Sequence, residues 1–223
     1  MITTPELINA LTADAAPVRR LRPPSARAAA WLTFAALLLA ALSVVYGLRP
    51  DLAERLRQPV FVVGNVAAML TGILAAIATF MLLLPDRSRR WLILPAPSLV
   101  IWLSTVGYGC LTNWVSIGPE GVRFGETVRC FATLVLTSVP LLLAMLVMLR
   151  HVAVLRPMAA IMTGSIAIAA ITATALSLFH DLDATVMILI WNLGTSVSII
   201  ALGCSLGSKV FSSVARRPTL DRV

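Results

Sequence analysis

The sequence predicts an all-α integral membrane protein, with six transmembrane helices in one bundle and a short cytoplasmic helix in front of them. Only 13% of the 223 residues are charged, whereas a soluble domain of this length has about 25%. The mean hydropathy is +0.92. Six charge-free runs each reach the roughly 20 residues that a helix needs to cross a bilayer. Because lipid offers no hydrogen-bond partners, the backbone in these runs must be helical.

The six runs divide the chain into three regions: a segment over 1–27, a membrane bundle over 28–208 and a tail over 209–223. The first apolar run follows a polar leader and precedes five further spans, so it is not expected to be a cleaved signal peptide. The predicted spans cover about 28–48, 60–84, 91–114, 129–149, 157–179 and 184–207.

The basic residues predict the orientation of the bundle. With six spans, 13 of the 18 Lys and Arg residues lie on the side of the two termini and 5 lie on the other side. Basic residues favour the cytoplasmic face, so both termini are expected in the cytoplasm. This asymmetry accounts for most of the net charge of +8, and no nucleic-acid partner is needed to explain it. The expected partner of the bundle itself is the lipid bilayer.

The spans lack the usual signatures of transport and catalysis. None of the charge-free runs contains an Asp, Glu, Lys, Arg or His residue, although ion and proton pathways usually require such groups. The chain also has no zinc-protease motif, no paired Cys-x-x-Cys, no nucleophile elbow and no phosphate-binding glycine loop. An enzyme is therefore not expected, and no cofactor is expected. A small transporter or permease subunit stays the alternative function, beside a membrane scaffold of no defined activity.

Small residues recur every four positions in two spans, a pattern that lets helices approach closely. Contacts inside one bundle explain such stripes, and a homodimer interface is the other interpretation. The residues are Gly64, Ala68, Gly72 and Ala76 in the second span, and Ser165, Ala169, Ala173 and Ser177 in the fifth.

The N-terminal segment has the signals of a short amphipathic helix. Thr4 and Pro5 form a competent helix start, with an acidic residue in the first turn. Leu7, Ile8 and Leu11 form one apolar face, and Pro17 is expected to end the helix. Three interpretations remain open: a frayed leader whose arginines only set topology, a helix lying on the inner leaflet, and a helix that orders in the groove of a cytosolic partner.

An ordered set of stretches then identifies a family. "ELINALTADAAPVRRLRPP", "GLRPDLAERL", "LPDRSRRW", "GYGCLTNW", "GETVRC" and "LGCSLGSKVF" follow one another along the chain. Together they resemble the negative-regulator-of-sigma-F family of bacterial membrane anti-sigma factors. The resemblance implies an inner-membrane protein whose N-terminal segment sequesters an extracytoplasmic-function sigma factor. It further implies release of that factor on an envelope, metal or oxidative stress signal.

By this resemblance, the sigma-binding element lies within residues 1–27. Its apolar residues are expected to dock in a groove of the sigma factor, and its arginines are expected to meet acidic patches. The implied binding residues are Leu7, Ile8, Leu11, Pro17, Arg19, Arg20, Leu21 and Pro23.

The resemblance also implies cysteines at the outer face, and here the chain departs from the family pattern. Cys130 occupies one such position, but "SLFHDLD" stands where a second cysteine is expected, so that His180 and Asp181 replace a thiol. Cys110, at the outer end of the third span, is a candidate substitute. Three interpretations stay open: buried structural cysteines, a disulfide between Cys110 and Cys130, and a metal site that includes Cys130 and His180.

Overall fold

The computed structural model describes residues 3–13, 22–84, 87–112, 124–149, 157–179 and 198. In these ranges the chain is helical and contains no strand. Five helices are long and apolar enough to cross a membrane, and they cover Pro24–Tyr46, Pro59–Leu82, Arg89–Tyr108, Phe131–Leu149 and Met158–Phe179. The predicted sixth span, over 184–207, lies outside the described residues except for residue 198, and the tail lies outside them entirely.

The helices follow one another in chain order with short connections. They are α1 (Thr4–Ala13), α2 (Pro24–Tyr46), α3 (Leu52–Arg55), α4 (Pro59–Leu82), a 3₁₀ turn (Arg89–Ile93), α5 (Ala96–Thr112), α6 (Phe124–Leu149) and α7 (Pro157–Phe179).

Three of the long apolar helices begin at a proline, α2 at Pro24, α4 at Pro59 and α7 at Pro157. Pro24 occupies the first turn of α2, where a fixed φ and a missing N–H cost nothing. The first span was predicted to begin at residue 28, so Arg27 lies inside its first turn rather than before it. α2 ends at Gly47, whose φ of 74° favours glycine.

α4 and α7 form the centre of the bundle and run antiparallel. Near one end, the hydroxyls of Thr79 and Thr163 are 2.9 Å apart. Near the other end, Ser177 donates a hydrogen bond of 2.7 Å to the side-chain oxygen of Asn65. Between these two contacts, a Cβ added to Gly72 would lie 2.8 Å from the side chain of Ile171. Glycine therefore permits the close approach of the two helices.

Small residues of both predicted stripes make contacts inside the described bundle. A Cβ on Gly64 would lie 2.8 Å from the hydroxyl oxygen of Thr105 in α5, so the α4 stripe serves two neighbouring helices. On α7, Ala169 and Ala173 are only half-buried. Residues 167 and 171 lie against Gly72 instead. The α7 stripe residue Ser177 contacts Asn65 of α4, so α7 meets α4 through stripe and non-stripe positions.

α2 and α6 complete the described bundle. Trp31 of α2 and Leu141 of α6 are both fully buried, and they belong to one core cluster with Phe80 and Ile168. This cluster joins four helices, α2, α4, α6 and α7, and it therefore fixes where the start of α2 meets the rest of the bundle.

Candidate partner-binding segment and its attachment to the bundle

The N-terminal helix α1 is capped by its own side chains. The backbone N–H of Leu7 donates to the carbonyl of Thr3, and the carboxylate of Glu6 accepts a 2.8 Å hydrogen bond from the N–H of Thr3. This is the acidic half of a capping box. It also lowers the pKa of Glu6. The cap is thus Thr3, one residue before the predicted Thr4, because the Glu6 carboxylate reaches back three residues.

The apolar face of α1 is exposed. Leu7 is 49% exposed and Ile8 is 55% exposed. Every side chain of α1 whose surroundings are described is exposed, and the side chain of Leu11 lies outside that set. An exposed apolar face on a capped helix is a surface that a partner can cover.

Part of the predicted binding segment lies outside the described residues. This holds for Pro17, Arg19, Arg20 and Leu21. Pro23 is described, and it stands immediately before α2 with φ −57° and ψ 147°. Two consecutive prolines therefore join the segment to α2, and they restrict the backbone at the junction.

Two side chains attach the start of α2 to α6. The guanidinium of Arg27 donates to the carbonyl of Met148 and lies 5.4 Å from the centre of the Phe80 ring. The indole N–H of Trp31 donates a 3.2 Å hydrogen bond to the carbonyl of Leu141. A cation at the C-terminal end of a helix is favourable, since the last carbonyls there lack helical donors.

Sequence reasoning missed this attachment, because Arg27 was counted only as a topological charge. The available signal was its spacing from Trp31. Residues four apart lie on the same helical face, so an arginine and a tryptophan at this spacing place two strong donors together.

A second attachment holds the opposite end of α2. The backbone N–H of Arg49 donates a 3.1 Å hydrogen bond to the carbonyl of Leu178, at the end of α7. The Arg49 guanidinium is buried, and it donates to both carboxylate oxygens of Asp51 at 2.6 and 2.8 Å. It also lies 5.9 Å from the centre of the Phe61 ring.

Asp51 is shared by two arginines, since Arg55 approaches the same carboxylate at 3.2 Å. The hydrogen bonds from Arg49 are the main cause that holds the pKa of Asp51 far below its usual value. Arg49 and Arg55 had been counted only as outer-side charges, and this ion pair was not expected from the sequence.

The predicted sensing residues are described only in part. Cys110 lies in the last turn of α5 and Cys130 is the seventh residue of α6. The helix directions place both backbone positions at the end of the bundle that also holds Arg49. His180 and Asp181 lie outside the described residues and directly follow the end of α7 at Phe179. Among the described residues, no group of three His, Cys, Asp or Glu side chains could hold a metal ion, so the predicted metal site stays a prediction.

The described chain thus defines a class: a helical protein with several helices able to cross a membrane and an exposed, capped helix ahead of them. The family model "Negative regulator of sigma F" matches residues 11–212. The chain belongs to this family, which confirms the resemblance seen in the sequence. The match begins at residue 11, so Leu7 and Ile8 lie before it. No curated protein and no solved structure matches the chain.

Proposed function

We propose that the protein is a membrane-bound anti-sigma factor that sequesters an extracytoplasmic-function sigma factor through residues 1–27. Family membership supports regulation of a sigma factor. The observation that carries the rest is the exposed apolar pair Leu7 and Ile8 on a capped helix. In the proposed complex this pair and Leu11 enter an apolar groove of the sigma factor. Arg19 and Arg20 then meet acidic groups at the rim of the groove.

The length of α1 fits a helix that is stabilised by its partner. A helix of ten residues is marginal in water without tertiary contacts. Its cap lowers the cost of forming the first turn, and binding then supplies the apolar contacts that complete it. Such coupling makes the complex easy to dissociate, because disturbing the helix weakens every contact at once.

The proposed location is the bacterial inner membrane with both termini in the cytoplasm. The asymmetry of 13 to 5 basic residues supports this orientation. It also supports an outer position for the loop over 47–58. Reporter fusions at Glu54 and Ser88 check it: Glu54 is expected to report the outer compartment and Ser88 the cytoplasm, and the reverse result would overturn the proposal.

The decisive experiment compares two doubly substituted proteins purified from their native membranes. Leu7→Asp with Leu11→Asp places two carboxylates in the apolar groove, which costs several kcal/mol and reduces retention of the sigma factor at least about 100-fold. Asn9→Asp with Thr12→Asp is the matched control, because it adds the same charge at exposed polar positions of α1.

Mass spectrometry of the purified membranes identifies the retained sigma factor, and immunoblotting confirms equal insertion of the variants. Wild type and the Asn9/Thr12 control are expected to retain it. Equal retention by the Leu7/Leu11 variant would show that this segment is not the binding element. A loss in both variants would show that charge, rather than apolar contact, governs binding.

We further propose that the release signal enters at the end of the bundle that carries Cys110 and Cys130. His180 and Asp181 follow α7 at the same end by topology. The thiols, the imidazole and the carboxylate together fit either an oxidant or a soft metal ion.

A further inference from the structure

The helix α2 is held to the bundle by a narrow seam. In an apolar 18-residue stretch of α2, 22% of the residues are buried, against 67% in the corresponding stretch of α7. The buried residues of α2 are Ala28, Trp31, Ala35 and Leu42, which follow one face at helical spacing. The opposite face is exposed, with Val44 at 85%. A helix with one narrow contact face can shift against the α4–α7 pair with little loss of packing.

The polar contacts of α2 lie at its two ends. At its start, Arg27 and Trp31 donate to carbonyls of Met148 and Leu141 in α6. Just beyond its end, the N–H of Arg49 donates to Leu178 in α7. Between these contacts the seam is apolar: Ala35 and Leu42 are buried, and Leu32, Leu38 and Leu39 are partly buried against the core. Non-directional contacts of this kind allow sliding or rotation, so the end contacts define the position of α2.

The partner of the first contact is itself a helix with a weak point. Pro140 lies inside α6, immediately before Leu141, and it removes one backbone donor from the helix. A helix bends most easily at an internal proline. Pro140 therefore separates the part of α6 that carries Cys130 from the part whose carbonyls accept hydrogen bonds from Arg27 and Trp31. A change at the Cys130 end can therefore alter these two hydrogen bonds.

α2 also connects directly to the proposed sigma-binding segment. Pro23 and Pro24 restrict the backbone where the segment enters α2, so movement of the first turn of α2 carries the preceding residues with it. Among the described helices, α2 is the one that follows α1 along the chain.

We infer that α2 is the helix that transmits the release signal, and that Arg27 and Trp31 form a catch which holds it in the sigma-retaining position. This inference rests on the proposed function. In the held state, both donors bind α6 and the segment over 1–23 is presented to the sigma factor. When α6 bends or α7 shifts at the Arg49 end, the catch opens, α2 moves along its seam and the segment loses its binding position.

We expect a substitution that removes either hydrogen bond of the catch to release the sigma factor without any signal. Trp31→Phe removes the indole N–H and keeps most of the packing, and Arg27→Gln removes the charge. Each is expected to lower retention about ten-fold and to raise sigma-dependent transcription in unstressed cells accordingly. Trp102→Phe in α5 is the control for the first change, since its indole makes no hydrogen bond with the described residues. Arg89→Gln, at an exposed arginine outside the proposed binding segment, is the control for the second.

A labelling experiment on the full protein in membranes reports the movement itself. Ala28 is 3% exposed and Ala29 is exposed, so a cysteine at 28 is expected to resist maleimide while a cysteine at 29 reacts. Adding Trp31→Phe should make position 28 reactive at least five-fold faster and leave position 29 unchanged. Peptide mass spectrometry distinguishes these sites from the native cysteines.

Three outcomes separate the catch from the proposed function. Lower retention together with faster labelling at 28 supports the catch. If Trp31→Phe and Arg27→Gln retain the sigma factor normally and the labelling at position 28 is unchanged, the catch is overturned. The result for the Leu7/Leu11 variant still decides whether residues 1–27 are the binding segment. Lower retention with unchanged labelling also overturns it, because Trp31 would then act without movement of α2.

Discussion

The close approach of α4 and α7 makes Gly72 sensitive to the addition of a side chain. Replacing it with alanine places a Cβ 2.8 Å from both Cδ1 and Cγ1 of Ile171 and 3.4 Å from the carbonyl oxygen of residue 167. Ile171 is 4% exposed, so its side chain has little room to move. Overpacking of this kind costs about 1–3 kcal/mol.

Gly107→Ala is the control that separates the steric cost of Gly72→Ala from the change in helix propensity. A Cβ at that position meets nothing within 4 Å, and Gly107→Ala gains the same helix propensity, up to about 1 kcal/mol. Because the propensity gain is common to both variants, Gly72→Ala should be less stable than Gly107→Ala by about 1–3 kcal/mol. Gly164→Ala is a control inside the same interface, since its Cβ would lie 3.6 Å from Thr79 in ordinary contact.

Denaturant unfolding of the detergent-solubilised protein measures this difference, with the fluorescence of the five tryptophans as the signal. Gly107→Ala and Gly164→Ala are expected to be similarly stable, and Gly72→Ala is expected to be less stable than either. If Gly72→Ala and Gly107→Ala unfold at the same denaturant concentration, α4 and α7 do not pack through this glycine and the antiparallel centre of the bundle is wrong.

Two further predictions concern the end of the bundle that holds Arg49. Asp51→Asn should lower the free energy of unfolding at neutral pH, because the Arg49 guanidinium stays buried without its carboxylate. The pKa of Asp51 is lowered in the folded state, so its contribution is present above the ordinary value of 3.8 and is lost as the pH falls below it. Unfolding curves should therefore show a loss of stability below pH 3.8 in the wild type that is reduced in Asp51→Asn, and equal pH profiles would contradict the pairing. The second prediction is tested by scoring sigma release under cadmium, chromate and peroxide for Cys110→Ser, Cys130→Ser and His180→Ala. Loss of release in the two cysteine variants alone supports a thiol switch, loss in all three supports a metal site, and an unchanged response in all three places the sensor elsewhere.

The sequence was sufficient for the parts of the fold that depend on composition and local chemistry. Five of the six predicted spans overlap helices that are long and apolar enough to cross a membrane, because length and hydropathy alone decide this property. The N-terminal helix was predicted from its cap and apolar face. Its start was off by one residue, since either Thr3 or Thr4 has the right chemistry and only the Glu6 carboxylate distinguishes them.

The features that were not predicted depend on contacts between residues that are far apart in the sequence. Arg27 and Arg49 have the same charge as the other arginines, and nothing in their neighbours shows that the acceptor carbonyls are at Met148 and Leu178, 121 and 129 residues away. The positions of α7 that lie against Gly72 have the same origin. Several faces of α7 carry small residues, so only the packed neighbour decides which of them is used.

The pairing of α4 with α7 has a consequence for how the protein is made. α4 ends at residue 82 and α7 ends at residue 179, a separation of 97 residues. At about 5–20 residues per second, a ribosome needs roughly 5–20 s to supply the second helix after the first. During this interval Thr71 and Thr79 can satisfy their hydroxyls within α4, as they do in the finished bundle with the carbonyls of residues 67 and 75. Asn65 differs, because its amide oxygen accepts from Ser177 of α7. A nascent chain stopped before α7 therefore lacks this donor to the amide oxygen of Asn65, so the hydrogen bonding of Asn65, unlike that of Thr71 and Thr79, depends on completion of the bundle.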